Sequence, residues 1–322
     1  MQKIEDISEK NIKFDTEDII LYLKNSNKSI PTKYLYDDTG SKLFEQICNT
    51  EEYYLTRTEK QILNKYSSEI SKISNFEEVF ELGSGSSKKT KILILEGLKK
   101  LTKLTYSSLD ISEKALEMSS RQLKNISPFL RVKLFKGDFI NDIIKLKPNQ
   151  KPKLYLFLGS TLGNFNNQLA VKFLNNVSNI MQKNDYFLLG VDKIKNHKII
   201  TSAYNDKKGI TKKFNKNILS VLNKKFKLNF DKNNFDHFAE FNKKKSQIEM
   251  YLEAVTDHKI NFPNQETIKI NNGDKILTEI SRKFSDNTLE VLFKKSELKV
   301  IRNFSDNKKY FSLYLLKSMK YS

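Results

Sequence analysis

The stretch 79–98 constrains the fold more than any other part of the chain. An apolar run ends at Leu82, two glycines follow at positions 83 and 85, and an apolar, helix-like pattern occupies residues 91–98. This order predicts a strand, a tight turn and a helix. Such a turn brings the backbone close to a nucleotide-like ligand at the N-terminus of the helix.

The turn lacks the defining residues of two phosphate-binding loops. It has no Gly-Lys-Thr or Gly-Lys-Ser ending, which excludes a P-loop, and Lys88 stands where a dinucleotide-binding loop has its third glycine. What remains is the shorter loop on Gly83 and Gly85 that is typical of S-adenosylmethionine (SAM) sites. The alternative is a Gly/Ser turn without a ligand, because a lone Gly-x-Gly is a weak signal.

The next strand favours the ligand-binding interpretation. It ends in Asp110, 25 residues after Gly85, where a carboxylate can accept hydrogen bonds from the two ribose hydroxyls of a nucleoside. The alternative is a surface aspartate unrelated to any ligand. The loop and the strand-end acid together predict a SAM site.

Strands and helices alternate between residues 77 and 192. The predicted strands are 78–82, 105–109, 131–136, 153–158 and 185–191, and the predicted helices are 88–100, 112–124, about 140–146, and 166–181. This alternation predicts a parallel, doubly wound α/β sheet. Two strands near the C-terminus, 297–304 and 310–316, would close the sheet with a hairpin, as in the class I, Rossmann-like methyltransferase arrangement.

Residues 194–282 differ in character and predict a second lobe. A helix rich in lysine and asparagine is expected from about residue 215 to 226, followed by strands at 247–254, 266–270 and 275–284. The N-terminal segment 1–59 is expected to be irregular and helical. In it, Thr56 and Glu59 have the spacing of a capping box for the helix that follows.

The net charge of the 322-residue chain is +19. One interpretation is nucleic-acid binding. However, the lysines are spread along the whole chain, and only five of the 57 basic residues are arginine, the residue that pairs best with phosphates and guanine. We therefore favour a compositional bias as the origin of the charge.

Cysteine, histidine and hydropathy patterns exclude several other classes. Cys48 is the single cysteine, so no internal disulfide can form and a reducing, cytoplasmic setting is expected. No apolar run approaches the roughly 20 residues of a membrane helix. The three histidines, His197, His237 and His258, are isolated from one another, so no metal site is expected.

Further candidate residues follow the third and fourth predicted strands. Asp138 and Phe139 suit an adenine, with a carboxylate for the exocyclic amine and a ring for the base, although a simple turn that begins with aspartate explains them nearly as well. The turn 159–164 after strand four is where a methyl acceptor is expected. It lacks the Pro-Pro-Tyr of enzymes that methylate nucleic-acid bases, which argues against a base as substrate.

Glu279 and Ser281 are a second candidate pair. Two residues apart in a strand, they point to the same face. A carboxylate beside a hydroxyl can bind the two nitrogens of an imidazole, and serine fits either protonation state because it can donate or accept. Spacing alone favours the alternative, a solvated face of an edge strand.

Long motifs of the chain resemble one enzyme family, the histidine-specific Nα-methyltransferases of ergothioneine biosynthesis. The resemblance covers about residues 30 to 320. The motifs that carry it are 36–44, 52–59, 81–85, 157–164, 203–206, 209–211, 214–217, 235–237 and 277–281. They are long and occur in the family's order, so the resemblance is specific.

The resemblance implies both an activity and a domain organisation. The activity is three SAM-dependent methyl transfers to the α-amine of L-histidine, which yield hercynine. The implied domains are a SAM-binding methyltransferase domain, residues 60–193 plus 283–322, and an inserted α+β substrate-binding lobe, residues 1–59 plus 194–282. Such an enzyme acts on a small molecule, needs no metal, and is expected to be a cytoplasmic monomer that binds neither nucleic acid nor membranes.

The resemblance also implies roles for individual residues. The residues expected to contact SAM are Tyr36, Gly83, Gly85, Lys89, Asp110, Asp138 and Phe139. The residues expected to bind histidine are Asn164 and Tyr204 at its carboxylate, Tyr53 through a water, Glu279 and Ser281 at its imidazole, and Phe44 and Met250 in the pocket wall. Tyr36 and Tyr53 are the candidate catalytic residues, since the Tyr36 ring could stabilise the sulfonium by about 1 kcal/mol and Tyr53 could pass the amine proton to water.

One departure from the family pattern lies next to the tyrosine pair. Prolines usually flank this pair, and here Glu52 and Leu55 occupy their places, which removes no polar contact. Relatives that methylate tryptophan derivatives lack the acid and hydroxyl of Glu279 and Ser281, so the pair favours histidine. Two alternatives stay open: a SAM-dependent N-methyltransferase of another amino acid or small amine, and, more remotely, a basic nucleic-acid-binding protein without catalytic activity.

Overall fold

The computed structural model describes residues 3–8, 16–85, 87–147 and 149–321. Ser86, which belongs to the predicted glycine loop, lies outside the described residues. By their contacts, the described residues divide into two compact units. The first contains residues 3–8, 58–193 and 284–321, and the second contains residues 16–57 and 194–283.

The described residues form strands and helices in both units. The strands are β1 (Ile4–Asp6), β2 (Glu78–Leu82), β3 (Leu104–Asp110), β4 (Leu130–Lys136), β5 (Lys153–Phe157), β6 (Tyr186–Asp192), β7 (Phe235–Asn242), β8 (Gln247–Ala254), β9 (His258–Asn261), β10 (Thr267–Ile270), β11 (Lys275–Arg282), β12 (Leu298–Ser305) and β13 (Phe311–Ser318). The α-helices are α1 (Thr16–Lys24), α2 (Asp38–Cys48), α3 (Tyr54–Ser74), α4 (Thr90–Leu98), α5 (Glu113–Leu123), α6 (Asn167–Ile180), α7 (His197–Ala203), α8 (Ile210–Phe226) and α9 (Asp286–Lys295). None of the described helices combines the length and apolar character needed to cross a membrane.

The first unit is built on one eight-stranded sheet in the order β1-β4-β3-β2-β5-β6-β13-β12. The six strands from β1 to β6 pair in parallel, and β13 pairs antiparallel with β6 and with β12. A parallel five-stranded sheet closed by a C-terminal hairpin was predicted, and the structure confirms this class I fold. Strand β1 adds one more parallel strand at the β4 edge.

The apolar strands of this sheet face two separate hydrophobic cores. Along β2, Phe80 and Leu82 lie in one core and Val79 lies in the other. This alternation follows from the two-residue period of a strand. Helices cover both cores, so the central strands are buried on both faces, as their nearly continuous apolar sequences predicted. The ends of these strands are thereby held in fixed positions.

The described structure differs from the sequence-based expectation at three places. The helix expected at about 140–146 is only a 3₁₀ turn, Ile143–Lys145. The capping box of Thr56 and Glu59 is wrong, because α3 already begins at Tyr54 and both residues lie inside it. The segment 1–59 was grouped with the substrate-binding lobe as irregular and helical, whereas its strand β1 pairs with β4.

The second unit contains a three-stranded antiparallel sheet, β11-β8-β7, and a separate hairpin of β9 and β10. On β11 the register shifts between Leu277 and Glu279, after which Glu279 lies opposite Met250 and Ser281 opposite Ile248. Residues that lie directly opposite share one face of an antiparallel pair. The register therefore brings Glu279, Ser281 and Met250 to the same face.

Candidate active site

The glycine loop of the first unit has the conformation that a close backbone approach requires. Gly83 and Gly85 both have positive φ angles, +77° and +45°, which residues other than glycine rarely adopt. A Cβ atom at Gly83 would lie 3.7 Å from the Phe139 ring, whereas one at Gly85 would project into open space. The loop leads into α4, so backbone N–H groups of the loop and a helix N-terminus lie next to each other.

Asp110 binds the glycine loop from the end of β3. Its carboxylate accepts hydrogen bonds from the backbone N–H of Ser84 (2.9 Å), the Ser84 hydroxyl (3.1 Å) and the backbone N–H of Ser112 (2.8 Å). Burial raises the pKa of Asp110, and these donors oppose the increase. The predicted ribose-binding acid and the predicted loop are therefore directly hydrogen-bonded.

The buried carboxyl group of Glu81, in β2, is hydrogen-bonded to residues that follow the glycine loop. It accepts hydrogen bonds from the hydroxyls of Ser87 (2.8 Å), Tyr106 (2.6 Å) and Thr90, the first residue of α4. Burial raises the pKa of Glu81 to about 7, although the three hydroxyls and Lys89 lower it in part. This network fixes both ends of the turn between β2 and α4.

Lys89, predicted to contact SAM, forms an ion pair with Glu59 of α3. Glu59 is fully buried, and its carboxylate also accepts the backbone N–H of Gly159 at 2.8 and 3.0 Å. The pair therefore links the glycine loop to the turn after β5. The sequence had suggested only a helix-capping role for Glu59, and no local pattern signals a partner 100 residues away.

The remaining candidates of the first unit lie at the same carboxyl edge of the sheet. The Asp138 carboxylate accepts hydrogen bonds from the Ile140 N–H and the Asn141 amide, which is the geometry of a turn that begins with aspartate. The Phe139 ring packs next to the glycine loop and against Phe157. Asn164 ends the 3₁₀ turn Thr161–Asn164 and is half-buried.

The second unit contains a small cavity in which four of the nine lining residues are aromatic. Five predicted substrate-binding residues line it: Phe44, Tyr53, Tyr204, Met250 and Glu279. The Tyr36 ring packs edge-on against Phe44, with centroids 5.7 Å apart, and Phe44 packs in turn against Tyr53 at 6.0 Å. The cavity measures about 20 Å³, which is about the space of one water molecule.

The two predicted catalytic tyrosines have neutral hydroxyls. Burial raises the pKa of Tyr36 well above its ordinary value, and Glu279 and Tyr204 add to the increase. Burial likewise raises the pKa of Tyr53, with further contributions from Tyr204 and Cys48. Tyr36 is still 37% exposed, although its hydroxyl is enclosed by protein atoms. Neither tyrosine is therefore a phenolate at neutral pH.

Glu279 and Ser281 are buried, so the solvated edge-strand interpretation is wrong. Only 7% of Glu279 and 3% of Ser281 are exposed. The Ser281 hydroxyl accepts a hydrogen bond from the Tyr204 hydroxyl (2.7 Å) and another from the Lys283 ammonium (2.8 Å), and Lys283 also donates to the Tyr204 oxygen (3.0 Å). Sequence reasoning missed Lys283 because a lysine near the end of a strand normally predicts a solvated charge.

A hydrogen-bonded network behind the cavity explains two motifs that had no assigned role. Asn215 of α8 donates to His237 Nδ1 (3.0 Å) and accepts from the Thr278 hydroxyl (2.6 Å), while His237 Nε2 donates to the Tyr204 carbonyl (2.9 Å). Burial lowers the pKa of His237, in agreement with this neutral tautomer. The network fixes the backbone beside both Tyr204 and Glu279.

Asn217, from the same motif as Asn215, supports the aromatic wall. Its amide donates to the Asp37 carboxylate at 2.7 Å, and Asp37 caps the N-terminus of α2, the helix that carries Phe44. Among the described residues, no cluster of three or more His, Cys, Asp or Glu side chains could hold a metal ion.

Comparison with known proteins gives consistent matches over most of the chain. The sequence profile of a family described as "Histidine-specific methyltransferase, SAM-dependent" matches residues 15–318. Histidine N-alpha-methyltransferase of Mycobacterium tuberculosis is 32% identical over 92% of this chain and 93% of its own length. The enzyme of the same name from Mycolicibacterium smegmatis is 35% identical over 83% of each chain. Ergothioneine biosynthesis protein 1 of Schizosaccharomyces pombe is 29% identical over 98% of this chain, which spans 42% of that longer protein.

Proposed function

Because the chain belongs to the family of SAM-dependent, histidine-specific methyltransferases, we propose that it transfers three methyl groups from SAM to the α-amine of L-histidine. The product is hercynine, an intermediate of ergothioneine biosynthesis. Two relatives that this chain matches over most of their length carry the name histidine N-alpha-methyltransferase. The observation that carries the proposal is the buried Glu279 in the wall of the cavity, together with the buried Ser281, which is hydrogen-bonded to Tyr204 of the same wall.

The first unit fits a bound SAM molecule. Gly83 and Gly85 have no side chains that would cover the loop backbone, their positive φ angles favour glycine, and open space lies beside Gly85. Asp110 ends β3 beside this loop and would bind the ribose, with Asp138 and Phe139 at the adenine and Lys89 at the amino-acid part. When bound, SAM supplies an electrophilic methyl group on a positively charged sulfur.

The polar groups of the second unit match those of an amino acid with an imidazole side chain. Glu279 would accept the imidazole N–H, and the Ser281 hydroxyl would bind the second ring nitrogen. Phe44 and Met250 would pack against the ring. The free cavity of about 20 Å³ is smaller than an imidazole, so binding of the substrate requires its aromatic lining to move apart.

The remaining assignments concern the amine and the carboxylate of the substrate. Asn164 would hold the carboxylate through its amide, and Tyr204, whose hydroxyl donates to Ser281, would line the substrate site. Tyr53 would contact the substrate through a water. Methyl transfer is an in-line displacement, so holding the amine in line with the methyl group supplies much of the acceleration. The role of Tyr36 would be to stabilise the sulfonium with its electron-rich ring.

The amine must lose a proton before each methyl transfer. Tyr53 stays neutral because burial raises its pKa, so it would pass the proton on through a water instead of removing it as a phenolate. This is a relay role, in which Tyr53 donates its own hydrogen as it accepts another. We infer no metal in the reaction.

The proposed substrate is a free amino acid, and the protein is proposed to act as a cytoplasmic monomer that binds neither nucleic acid nor membranes. The turn after β5, Gly159 to Asn164, lacks the Pro-Pro-Tyr motif of enzymes that methylate bases. The alternative, another amino acid or small amine as substrate, is disfavoured by the acid and hydroxyl pair, since an apolar side chain would offer neither group a hydrogen bond.

Mass spectrometry of a SAM reaction tests the proposal. The purified protein is offered L-histidine together with the other amino acids in one mixture. We expect histidine alone to gain three methyl groups. Methylation of a different amino acid would replace the substrate assignment, and the absence of any methylated amino acid would overturn the proposed function.

A further inference from the structure

Lys283 is a buried ammonium group in contact with the proposed imidazole site. Only 3% of this residue is exposed. Its Nζ lies 2.8 Å from the Ser281 hydroxyl and 3.0 Å from the Tyr204 hydroxyl, and 4.9 Å from the centre of the Tyr204 ring. A buried lysine is rare unless its charge is matched by partners. Its position suggests that it acts on the two hydroxyls.

The contacts of Lys283 fix the direction of the hydrogen bonds around Ser281. An ammonium group can only donate, so both hydroxyl oxygens accept from Lys283. The Tyr204 hydroxyl in turn donates its own hydrogen to the Ser281 oxygen. The Ser281 oxygen therefore accepts two hydrogen bonds, which uses both of its lone pairs. Ser281 therefore binds a ligand by donating its own hydrogen.

We propose that Lys283 is a positioning residue that makes Ser281 a hydrogen-bond donor and thereby selects the neutral imidazole of the substrate. The inference rests on the proposed function. In the selected form, one ring nitrogen donates its hydrogen to Glu279 and the other accepts the hydrogen of Ser281. An imidazolium ion has no lone pair for Ser281, and its charge is repelled by the nearby ammonium of Lys283.

Other titratable groups around this site must be considered in any pH-dependent measurement. They are Glu279 on β11, Tyr204 after α7, Tyr36, Tyr53 and Cys48 in the N-terminal segment, and His237 on β7 behind Tyr204. Because these groups are the same in a Lys283 variant, comparison of that variant with the wild-type protein isolates the contribution of Lys283.

The test is the pH dependence of ligand affinity, measured by calorimetry in the presence of S-adenosylhomocysteine. The ligands are L-histidine and its Nα-trimethylated form, whose ammonium charge cannot titrate. An imidazole with a pKa of about 6.5 is mostly neutral at about pH 7.5 and mostly charged at about pH 5.5. We expect wild-type affinity to fall roughly 10-fold between these values, in proportion to the neutral fraction.

The decisive variant is Lys283→Met, which removes the ammonium and keeps the length of the side chain. Ser281 could then rotate and accept a hydrogen bond from the imidazolium, so we expect less than about a threefold change in affinity over the same pH range. Lys283→Arg keeps a donating cation and should restore the wild-type profile. A merely structural role for Lys283 would lower affinity equally at both pH values, and that result would overturn the proposal.

A second variant keeps the inference testable if Lys283→Met does not fold. Ser281→Ala should weaken binding more at about pH 7.5 than at about pH 5.5, because only the neutral ring uses the Ser281 hydrogen. The fall in affinity between the two pH values should therefore be smaller than in the wild-type protein. If the wild-type protein binds histidine equally at both pH values, the role of Lys283 is wrong while the proposed function stands. If it binds no histidine at either pH, the proposed function itself fails.

Discussion

The candidate sites of the two units are built in different ways. In the first unit, the glycine loop is mainly backbone: two glycines with positive φ angles are held by Asp110 at one strand end and by Glu81 at another. In the second unit, the cavity is a set of side chains. They come from segments that lie far apart in the sequence, at residues 44–53, 203–214, 250 and 279. One site thus depends on local chain conformation, and the other on long-range side-chain packing.

This difference teaches where each site is sensitive to substitution. A backbone site fails when a residue cannot adopt the required φ angle, whatever its side chain does elsewhere. A side-chain site fails when one polar partner is removed and its neighbour is left buried without a hydrogen bond. The two kinds of damage should affect different ligands, and the following predictions separate them.

The largest effect is expected at the side-chain site, for Glu279→Gln. The amide keeps the shape of the side chain and an acceptor oxygen, but it loses the negative charge that strengthens the hydrogen bond from the imidazole N–H. We expect the kcat/KM for histidine to fall roughly 10- to 150-fold, the cost of one charged hydrogen bond. Steady-state assays of methylation measure this loss, and calorimetry should find SAM affinity within about twofold of the wild-type value.

A matched control for this variant is Glu240→Gln, which makes the same chemical change on β7 of the same sheet at an exposed position. It should leave histidine turnover unchanged. Unchanged histidine turnover in Glu279→Gln would remove the carboxylate from the substrate site. Equal losses of SAM and histidine affinity would mean that the two sites are not separable.

The next effect is expected at the backbone site, for Gly83→Ala. Alanine at a φ of +77° is strained by roughly 1–2 kcal/mol, and the new Cβ would lie beside the Phe139 ring at an ordinary contact distance of 3.7 Å. We expect SAM affinity to fall about 10-fold, since the strained loop relaxes away from its binding conformation. Calorimetric titration with SAM measures the change.

Gly273→Ala is the control for the strain in Gly83→Ala. Gly273 has a similar φ of +83° in the turn between β10 and β11, with open space around it. Both variants should lose stability by about 1 kcal/mol in denaturant unfolding, but only Gly83→Ala should lose SAM affinity. If both variants bind SAM equally well, the glycine loop does not contact the ligand.

The sequence predicted most of the first unit because its signals are local. Alternating apolar segments identified β2 to β6 and the final hairpin within one or two residues, and the strand order then follows from the confirmed class I fold. The helix expected near residue 140 was wrong, because the Asp138 carboxylate bonds the following turn and helical bonding does not continue past Lys145. The helix α9 and strand β7 were missed, although α9 has Leu289, Leu292 and Phe293 at helical spacing. In β7 the buried residues, Phe235 and Ala239, lie four positions apart and lack the two-residue alternation of a strand.

The residues that hold the sites together were less predictable than the sites. The resemblance to a known family supplied Glu279, Ser281, Tyr204 and Phe44, and the structure brings these four into one region. It supplied neither Glu59 nor Lys283. The roles of both depend on partners that the fold brings near: the Gly159 N–H for Glu59 and the Tyr204 hydroxyl for Lys283. Whether a charged residue in a helix or strand is buried can be determined only once the packing is known.

A smaller effect is expected from the buried carboxyl group below the glycine loop. The pKa of Glu81 is raised to about 7 by burial, above the value of about 4.3 for an exposed glutamate. The folded state therefore holds a proton that the unfolded state has lost between these two values, so this group stabilises the fold at lower pH and loses that contribution as pH rises through about 7.

Glu81→Gln tests this pH dependence. The quantity to measure is the difference in unfolding free energy between the wild-type protein and the variant. It should fall by about 1 kcal/mol between about pH 6 and 7.5, because glutamate titrates in this range and glutamine does not. Chemical denaturation at several pH values measures both proteins. A difference that stays constant between about pH 6 and 7.5 would show that Glu81 is charged in the folded state throughout this range.

The smallest effect is expected from ionic strength, although the chain carries a net charge of +19. The charged groups at the proposed imidazole site, Glu279 and Lys283, are at most 7% exposed, and salt screens buried charges far less than exposed ones. We expect the KM for histidine to change less than about twofold between about 0.05 and 0.3 M salt.

Single-stranded RNA and duplex DNA should leave turnover unchanged at about 0.15 M salt, where diffuse lysine contacts are weakened by counterions. Competitive inhibition by either nucleic acid at that salt concentration would instead mean that the basic surface serves the active site, and the compositional explanation of the charge would have to be abandoned.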